Sequence, residues 1–230
     1  MQELIRANSL EDAKITAYHI GFVLGPCINA SGRLDTAARS LALLNAKTKE
    51  EAARLAGDLT ALNQSRKALT EKGKEEAIRI IETTELKNDR VLVVYLPDCH
   101  ESLAGIIAGR IREKYHRPAF VLTGGEASAK GSGRSIESYS MYEELVKCAD
   151  LMIQFGGHPM AAGLSIEEKN IEEFRRRLNV NCTLTDEELR PKIVIDVPMP
   201  VSYITKELVE QISLSGTLWK GIQTGLCAEN

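Results

Sequence analysis

The sequence predicts an α/β fold, in which a central sheet flanked by helices follows a long connecting helix. Two short runs rich in apolar and β-branched residues, VLVVYL from Val91 and AFVLT from Ala119, have the composition of buried strands. The stretch 102–115 between them places Leu103 and Ile107 on one face, as an amphipathic helix does. A strand, a helix and a second strand in direct succession predict a right-handed crossover unit, whose two strands run parallel.

The region before the connecting helix is predicted to be helical only in part. Residues 1–34 end in GFVLGPCINASGR, a stretch punctuated by glycine and proline that we interpret as irregular. Asp35 can then cap a short helix that runs to about Leu44.

A long helix is predicted to begin at Thr48, because the sequence from Thr48 to Glu51 forms a capping box. One apolar stripe follows, at spacings of three, four, three and seven residues: Ala52, Leu55, Leu59, Leu62 and Leu69. We expect this helix to reach about Ile81 and to bridge two folded bodies, since a lone helix of this length needs a partner surface. A coiled coil is the alternative, which Arg66 and Gly73 weaken because they interrupt the seam.

Caps and periodicity predict four further elements: a helix from Ser140 to about Ala149, a strand at 161–166, a helix at 170–178 and a short helix at 204–212. Residues 179–191 are polar and are predicted to be a linker, after which KIVIDV, from Lys192, starts a new strand. The predicted division is a helical region at 1–87, an α/β domain at 88–179 and a third region at 180–230.

Composition excludes several classes of protein. With 43% hydrophobic and 27% charged residues, the 230-residue chain resembles neither a disordered tail nor a disulfide-stapled mini-domain. It has no apolar stretch near the ~20 residues that span a bilayer and no apolar signal core at its start, so we expect a cytoplasmic protein with no membrane partner. Five scattered cysteines predict reduced thiols rather than a disulfide framework or a zinc site.

Charge is distributed unevenly along the chain. The net charge of −3 excludes a globally basic nucleic-acid binder, but residues 102–135 carry six Lys or Arg against two Glu, which gives a local charge of +4. A solvated helix face also explains such a window, and on the charge alone that interpretation is favoured.

Two polar clusters could carry chemistry without a glycine-rich loop. Asn29 and Arg33 lie among small residues in INASGR, where a turn would present both polar heads to one place, although a plain loop with a helix cap is favoured on this pattern alone. His100 stands at the predicted start of a helix, where unpaired N–H groups attract anions, and the sequence does not distinguish a phosphate contact from a simple cap. A metal role is disfavoured, because the second histidine of an H-E-x-x-H site is absent.

A third cluster, KGSGRS, holds Ser132, Arg134 and Ser135. Its alternating small residues leave backbone N–H groups open beside two hydroxyls and a guanidinium, which is the chemistry of a phosphate cradle. A glycine-rich hairpin turn is the alternative, and the two interpretations have equal weight.

A fourth cluster, FGGHPM, places Gly156 and Gly157 before His158. The glycines let the backbone approach a ligand closely while the histidine projects, and a purely structural histidine is the alternative. The sequence has no G-x-S-x-G motif and no convergent set of carboxylates and histidines, so we expect neither a catalytic residue nor a metal site in this chain.

Five segments in a fixed order resemble the RecJ-type exonucleases of the DHH phosphoesterase superfamily. IGFVLGPCINASGRLDTA is similar to the segment that follows their DHH domain, and LTALNQSRKALTEKG to their long connecting helix. HESLAGIIAGRIREKYHRPAFVLT, GSGRS and FGGHPMAAG are similar to their DHH-associated domain. The resemblance covers about residues 15–178 and implies a DHH-associated-type α/β domain preceded by the connecting helix.

The resemblance implies a 5′-to-3′ exonuclease, a hydrolase specific for single-stranded DNA that acts in DNA repair and recombination. In that family Mn²⁺ or Mg²⁺, held by Asp and His residues of an N-terminal DHH domain, activates water against the phosphodiester. No D-H-H triplet occurs in this sequence. The chain is therefore expected to be a C-terminal fragment that binds no metal itself and is inactive alone.

Carried over residue by residue, the resemblance implies that these side chains contact the substrate phosphate: Ser132, Arg134, His158, Asn29 and Arg33. It implies the same for His100, where the match to the family is weaker. Single-stranded DNA is the expected partner, and the sequence does not identify which repair proteins, if any, the chain binds. Two other functions stay open. One is an oligoribonuclease or cyclic-dinucleotide phosphodiesterase of the same superfamily, and the other is a non-catalytic nucleic-acid-binding module.

The end of the chain departs from the family pattern. RecJ-type chains continue into an oligonucleotide-binding barrel, of which residues 180–230 would hold the linker and a truncated start. From Ser215 the sequence reads SGTLWKG, which spells LEPFGKG when it is back-translated and read one base forward. Because this matches the P-F-G-x-G-N type segment expected there, we predict a frameshift after about residue 214.

Overall fold

The computed structural model describes residues 1–192 and 198–214, and the chain divides into a compact unit at 1–191 and a second unit at 192–230. The helices are α1 (Gln2–Ala7), α2 (Ala17–His19), α3 (Gly25–Leu34), α4 (Ala38–Asn45), α5 (Lys49–Thr83), α6 (Glu101–Tyr115), α7 (Met141–Val146), α8 (Ile171–Asn181) and α9 (Lys206–Leu214). The strands are β1 (Leu92–Leu96), β2 (Ala119–Thr123), β3 (Ala129–Arg134), β4 (Met152–His158) and β5 (Ala161–Ile166). None of the described helices is long and apolar enough to cross a membrane.

The stretch 21–33, which the sequence predicts to be irregular, lies within a segment that is helical from residue 17 to residue 34. α2 leads through a π-helical turn, Ile20–Leu24, directly into α3. Pro26 lies in the first turn of α3, where a missing N–H is best tolerated, and the wider π turn before it absorbs the irregularity. The turn predicted for Asn29 and Arg33 is therefore wrong, and the two residues lie four positions apart on one helix face.

α5 is a single helix of 35 residues that ends just beyond the predicted Ile81. Thr48 caps it, since its Oγ1 accepts a hydrogen bond from the Glu51 N–H at 3.2 Å. The first half of α5 lies in an apolar cluster with the preceding helices: Leu4, Leu24, Cys27, Leu43, Leu55, Ala56 and Leu59. In the second half, Ile81 lies in another cluster with residues of α6 and β1. α5 thus joins two cores, as its length predicts.

The five strands form one sheet in the order β1-β2-β3-β5-β4. β1 and β2 run parallel, with Val94 opposite Val121, and α6 connects them. The other three pairs are antiparallel. The predicted α/β fold and its parallel strand pair are therefore confirmed, while β3 and β4 add two strands where the sequence predicts glycine-rich loops or turns.

Packing explains why β3 is a strand in spite of its glycines. A Cβ on Gly133 would come 2.6 Å from Phe120 Cε1 and 2.7 Å from Met141 Sδ. Only glycine leaves room for these two large side chains in the core, so tertiary packing overrides the low strand propensity of glycine.

The two faces of the sheet are covered differently. One face carries the main core, where Phe120 and Leu164 cluster with Phe174 and Leu178 of α8. On the other face, α5 and α6 cover β1 and β2, and Val94 is buried among their side chains. The part of this second face formed by β3, β5 and β4 remains accessible.

The compact unit extends past the predicted domain boundary at 179. The segment after α8 packs on the main core, where Leu184 is buried. Arg90 fixes this segment, since its guanidinium donates to the Leu184 carbonyl and pairs with Asp186 at 2.7 Å. The linker predicted from residue 180 is therefore packed in its first part rather than free.

In the second unit, the described residues form a 3₁₀ turn at Val201–Tyr203 and the helix α9, close to the short helix predicted there. The strand predicted from Lys192 falls on 193–197, outside the described residues. The tail from Ser215, to which the predicted frameshift applies, also lies outside them.

Candidate nucleic-acid interface

Nine residues of β3, β5 and β4 form an accessible surface, which we call the open face. Strand register arranges them in three rows: Arg134, Ala161 and His158 in the first, Ser132, Gly163 and Gly156 in the second, and Lys130, Ser165 and Gln154 in the third. Residues directly opposite in a sheet point to the same side, and rows two residues apart are spaced by about 6.7 Å. The open face therefore carries polar and charged groups on its outer strands and small residues along its middle strand.

A groove with a volume of about 450 Å³ lies between the open face and the first turn of α6. Gly156 and Gly163 line it and contribute no side chain, so a ligand can approach the sheet closely there. Lys130 of β3 pairs with Glu101 of α6 in this groove, with 2.7 Å between Nζ and Oε2.

Arg134 presents a positive charge that no acidic group in the described part of the chain offsets by an ion pair. Its guanidinium lies against α6, where a Cβ on Gly105 would come 2.7 Å from Nη2. Nη1 donates to the Gly133 carbonyl at 2.7 Å, and no described carboxylate lies within 4.0 Å. Burial, then Arg33 and Arg112, lower the pKa of Arg134. A half-buried guanidinium beside other guanidiniums attracts an anion.

Arg33 connects α3 to this site. Its Nη1 donates to the Ser102 carbonyl, in the first turn of α6, at 2.9 Å. Arg134 lies against Gly105, three residues further along α6, so both guanidiniums lie against the start of this helix. The charge of Arg33 also lowers the pKa of Arg134. Asn29 is exposed one turn earlier on α3, without a hydrogen bond to the open face among the described residues. The structure thus brings Arg33 to the site and leaves Asn29 beside it on the helix.

His158 is exposed at the end of β4, in the same row as Arg134. Its Nδ1 accepts a hydrogen bond from the Met160 N–H at 3.3 Å. In the neutral ring this arrangement leaves the proton on Nε2, so the histidine has an outward donor for an anionic oxygen.

His100 is the N-cap of α6. Its Nδ1 accepts from the Ser102 N–H at 3.3 Å and lies 2.8 Å from the Ser102 hydroxyl. Of the two interpretations that the sequence leaves open, the structure therefore favours the cap.

Ser135 and Gly157 do not lie on the open face. Ser135 is buried and donates its hydroxyl hydrogen to the Tyr139 carbonyl at 2.5 Å, which shapes the turn after β3. Gly157 has φ +156°, and a Cβ there would come 2.4 Å from the Ala161 carbonyl oxygen. Each of the two residues thus has a structural role in this fold.

KGSGRS forms neither the phosphate cradle nor the hairpin turn that the sequence leaves open, because Ala129–Arg134 is a strand. β3 pairs with β2 on one side and β5 on the other, so its backbone N–H groups are used within the sheet. Ser132 and Arg134 reach the open face through their side chains alone. Alternation of polar residues with glycine is itself a signal for a strand with one polar face. That signal also identifies Lys130, which motif reasoning misses together with Ser165 and Gln154.

The described residues contain no group of three or more His, Cys, Asp or Glu side chains that could hold a metal ion. The Mn²⁺ or Mg²⁺ that the resemblance implies therefore has no matching ligand set among them.

Residues 88–182 match the family model of the DHHA1 domain. The single-stranded-DNA-specific exonuclease RecJ of Salmonella typhimurium is 35% identical over 226 residues, and the protein of the same name from Bacillus subtilis is 33% identical over 218 residues. These alignments cover 94% and 93% of this chain but 39% and 28% of the relatives. The chain thus spans well under half the length of the relatives it matches.

Solved structures of RecJ also match this chain. RecJ from Thermus thermophilus in complex with Mg²⁺ matches with a TM-score of 0.69 and 30% identity, over 78% of this chain and 27% of that chain. A structure of exonuclease RecJ bound to manganese matches with a TM-score of 0.66 and 31% identity, over 77% of this chain and 43% of that chain. Of the functions that the sequence leaves open, these similarities favour the single-strand-specific exonuclease.

Proposed function

This chain is a homologue of the RecJ exonucleases that carries a DHHA1 domain, and on this premise we propose that it binds the substrate strand of a 5′-to-3′ single-stranded-DNA-specific exonuclease. The observation that carries the proposal is that Arg33 and Arg134 both lie against the start of α6, at Ser102 and Gly105, beside a glycine-floored groove. No described carboxylate lies within 4.0 Å of either guanidinium.

A phosphodiester group is the ligand that fits this arrangement. A guanidinium donates two parallel hydrogen bonds to phosphate oxygens, and charge-assisted bonds of this kind are the strong ones. The Ser132 hydroxyl, one row away, and the exposed Nε2 of His158 add neutral donors on the same side of the sheet. These groups hold and orient a phosphate, and they do not generate a nucleophile.

The open face is suited to bind a DNA strand without specificity for its base sequence. None of its nine residues is Phe, Tyr or Trp, so the open face lacks the large rings on which bases stack, an interaction worth about 1–3 kcal/mol per base where it occurs. Affinity then comes from contacts to the phosphate backbone, which carry no sequence information and weaken as salt rises.

We place phosphodiester cleavage outside the described residues, at Mn²⁺ or Mg²⁺ bound by another part of the enzyme. The solved RecJ structures with Mg²⁺ and with manganese support this assignment. We also propose a cytoplasmic role in DNA repair and recombination, which the same homology supports. The four described cysteines are all free, which fits a reducing compartment.

Binding of a fluorescent single-stranded oligonucleotide to the purified chain tests the proposal. Arg134→Gln should weaken binding and reduce its salt dependence, because the variant removes a positive charge that faces a phosphate. Arg110→Gln is the matched control, since Arg110 lies on exposed α6 surface and already pairs with Glu113 at 3.0 Å. Equal affinities of the wild type and Arg134→Gln would contradict the proposal.

A further inference from the structure

Arg66, in the middle of α5, is held by a buried amide. Its Nε and Nη2 donate to the Asn63 Oδ1 at 3.1 and 3.0 Å. Asn63 is only 4% exposed and is fixed in turn, because its Nδ2 donates to the Cys27 Sγ at 3.4 Å. The guanidinium is therefore fixed in direction, with Nη1 left without a described partner.

Arg66 differs from the other two arginines of α5 in its electrostatic environment. Arg54 pairs with Asp58 at 3.5 Å and Arg79 with Glu76 at 2.6 Å. Arg66 is half-buried, and no described carboxylate lies within 4.0 Å of it. Partial burial of an unpaired cation costs free energy of folding unless an anion compensates its charge. An anion is therefore the ligand that fits Arg66.

Arg66 is connected to Arg33 through α3, because Asn63, which holds Arg66, donates to Cys27 of α3, the helix that carries Arg33. Burial, then the charge of Arg33, lower the pKa of Arg66, and Arg33 in turn lowers the pKa of Arg134. The three guanidiniums come from α5, α3 and β3, and Arg33 lies between the other two in this electrostatic coupling. The Arg33 guanidinium donates to the Ser102 carbonyl, whereas the Arg66 guanidinium donates to the Asn63 side chain. The two guanidiniums are therefore held by different elements of the fold.

We propose that Arg66 binds a second phosphate group of the DNA strand, separate from the phosphate held at Arg33 and Arg134. This inference rests on the proposed function and extends the binding surface from the sheet to the connecting helix. Two phosphates held on different elements would fix the path of the strand, which a single contact cannot do.

The salt dependence of binding counts the phosphates. For single strands, the slope of log K against log salt is negative, and its magnitude decreases by about 0.7 for each phosphate that the protein no longer neutralises. We expect Arg66→Gln and Arg134→Gln each to reduce the slope by about 0.7, and the double variant by about 1.4. The control is Arg79→Gln on the same helix, which should leave the slope unchanged because Glu76 already offsets its charge.

A second variant tests the role of the buried amide. Asn63→Asp is nearly isosteric and puts a carboxylate opposite Arg66, so it should reduce the slope as much as Arg66→Gln does. Circular dichroism establishes that each variant is folded, and if Asn63→Asp does not fold, Arg66→Gln alone decides. A folded Asn63→Asp variant with the wild-type slope would overturn the inference.

The outcomes separate this inference from the proposed function. If Arg134→Gln reduces the slope and Arg66→Gln does not, the second phosphate site is wrong while the proposed function stands. If the slope of the double variant falls no further than that of either single variant, both arginines hold one phosphate, and the inference is likewise overturned. If Arg134→Gln leaves binding unchanged, the proposed function itself fails.

Discussion

Arg134 of β3 and His158 of β4 lie in one cross-strand row, with Ala161 of β5 between them. Their side chains therefore leave the same side of the sheet, and their backbones are two strand spacings, about 10 Å, apart. Between them the sheet presents only the methyl group of Ala161. A guanidinium and an imidazole thus lie on either side of this small residue, and the space between them is wide enough for an anionic group to lie against the sheet.

Gly105→Ala should separate folding from binding. A Cβ at this position would come 2.7 Å from Arg134 Nη2, the mobile end of a long side chain, so the guanidinium moves while the backbone stays. Alanine in a helix interior is more stable than glycine by about 1 kcal/mol. We expect a higher unfolding midpoint in urea and weaker oligonucleotide binding.

Gly109→Ala is the control for that change, since a Cβ there would lie 4.0 Å from Arg134 Cγ. It should raise the midpoint and leave binding unaltered. If Gly105→Ala binds DNA as tightly as Gly109→Ala, Arg134 does not act from its position against α6.

Substitution by alanine should change the stability of the fold at Gly157 and not at the adjacent Gly156. Gly157→Ala combines a backbone angle of +156° with a Cβ 2.4 Å from the Ala161 carbonyl oxygen. It should lower the free energy of unfolding by about 2 kcal/mol or more. In Gly156→Ala the Cβ meets nothing within 4 Å, so stability should change by less than about 0.5 kcal/mol.

The methyl group of Gly156→Ala nevertheless enters the groove, because Gly156 lines it. Weaker oligonucleotide binding at unchanged stability is expected, as measured by anisotropy and denaturant titration on the same preparation. Unchanged binding would show that the strand does not approach this part of the floor.

The ion pair between Arg175 and Asp89 should contribute to stability. The guanidinium makes two hydrogen bonds to the carboxylate, at 2.5 and 3.1 Å, and the two side chains are 19% and 14% exposed. Arg175→Ala leaves a largely buried carboxylate without its partner and should cost about 2 kcal/mol in unfolding free energy. Arg176→Ala removes a surface pair with Glu173 and should have no measurable effect.

Hydrolysis by the 230-residue chain alone should not occur. The described residues hold no cluster of metal-binding side chains, and a two-metal phosphodiesterase needs carboxylates and histidines that converge on ions about 4 Å apart. A 5′-labelled oligonucleotide incubated with purified chain and Mn²⁺ should remain intact, as it does with EDTA. Release of nucleotide that depends on Mn²⁺ and persists through further purification would contradict this expectation.

Local signals predict the parts of the fold whose sequence pattern agrees with their structure. β1, β2 and α6 combine composition, length and periodicity, and the cap of α5 is visible at Thr48. β3 is different, because the reason for the glycine at 133 lies in Phe120 of β2 and Met141 of α7, which contact it only in the folded core. Its strand conformation becomes evident only when the core is assembled.

The candidate site shows the same limit. Motif reasoning identifies Arg33, Arg134 and His158, although it expects a turn and a cradle of N–H groups where the structure has a helix and a strand. It treats Arg66 and Gly73 as interruptions of an apolar seam. In the structure Gly73 is where α6 approaches, since a Cβ there would come 2.6 Å from Ile107 Cδ1. The reason for each of these two residues thus lies in a neighbour that the spacing of apolar residues does not reveal.

The way α5 is anchored sets how its amide protons exchange with solvent. Between the cluster around Leu59 and the one around Ile81, only Asn63 and Thr70 are buried on the helix. Opening of this middle stretch requires either a break in the helix or the undocking of one of the two clusters. Amide hydrogens in the middle of α5 should therefore exchange through whichever of these openings costs the least free energy. Protection equal to that of the less stable cluster would show that the middle of α5 opens together with that cluster.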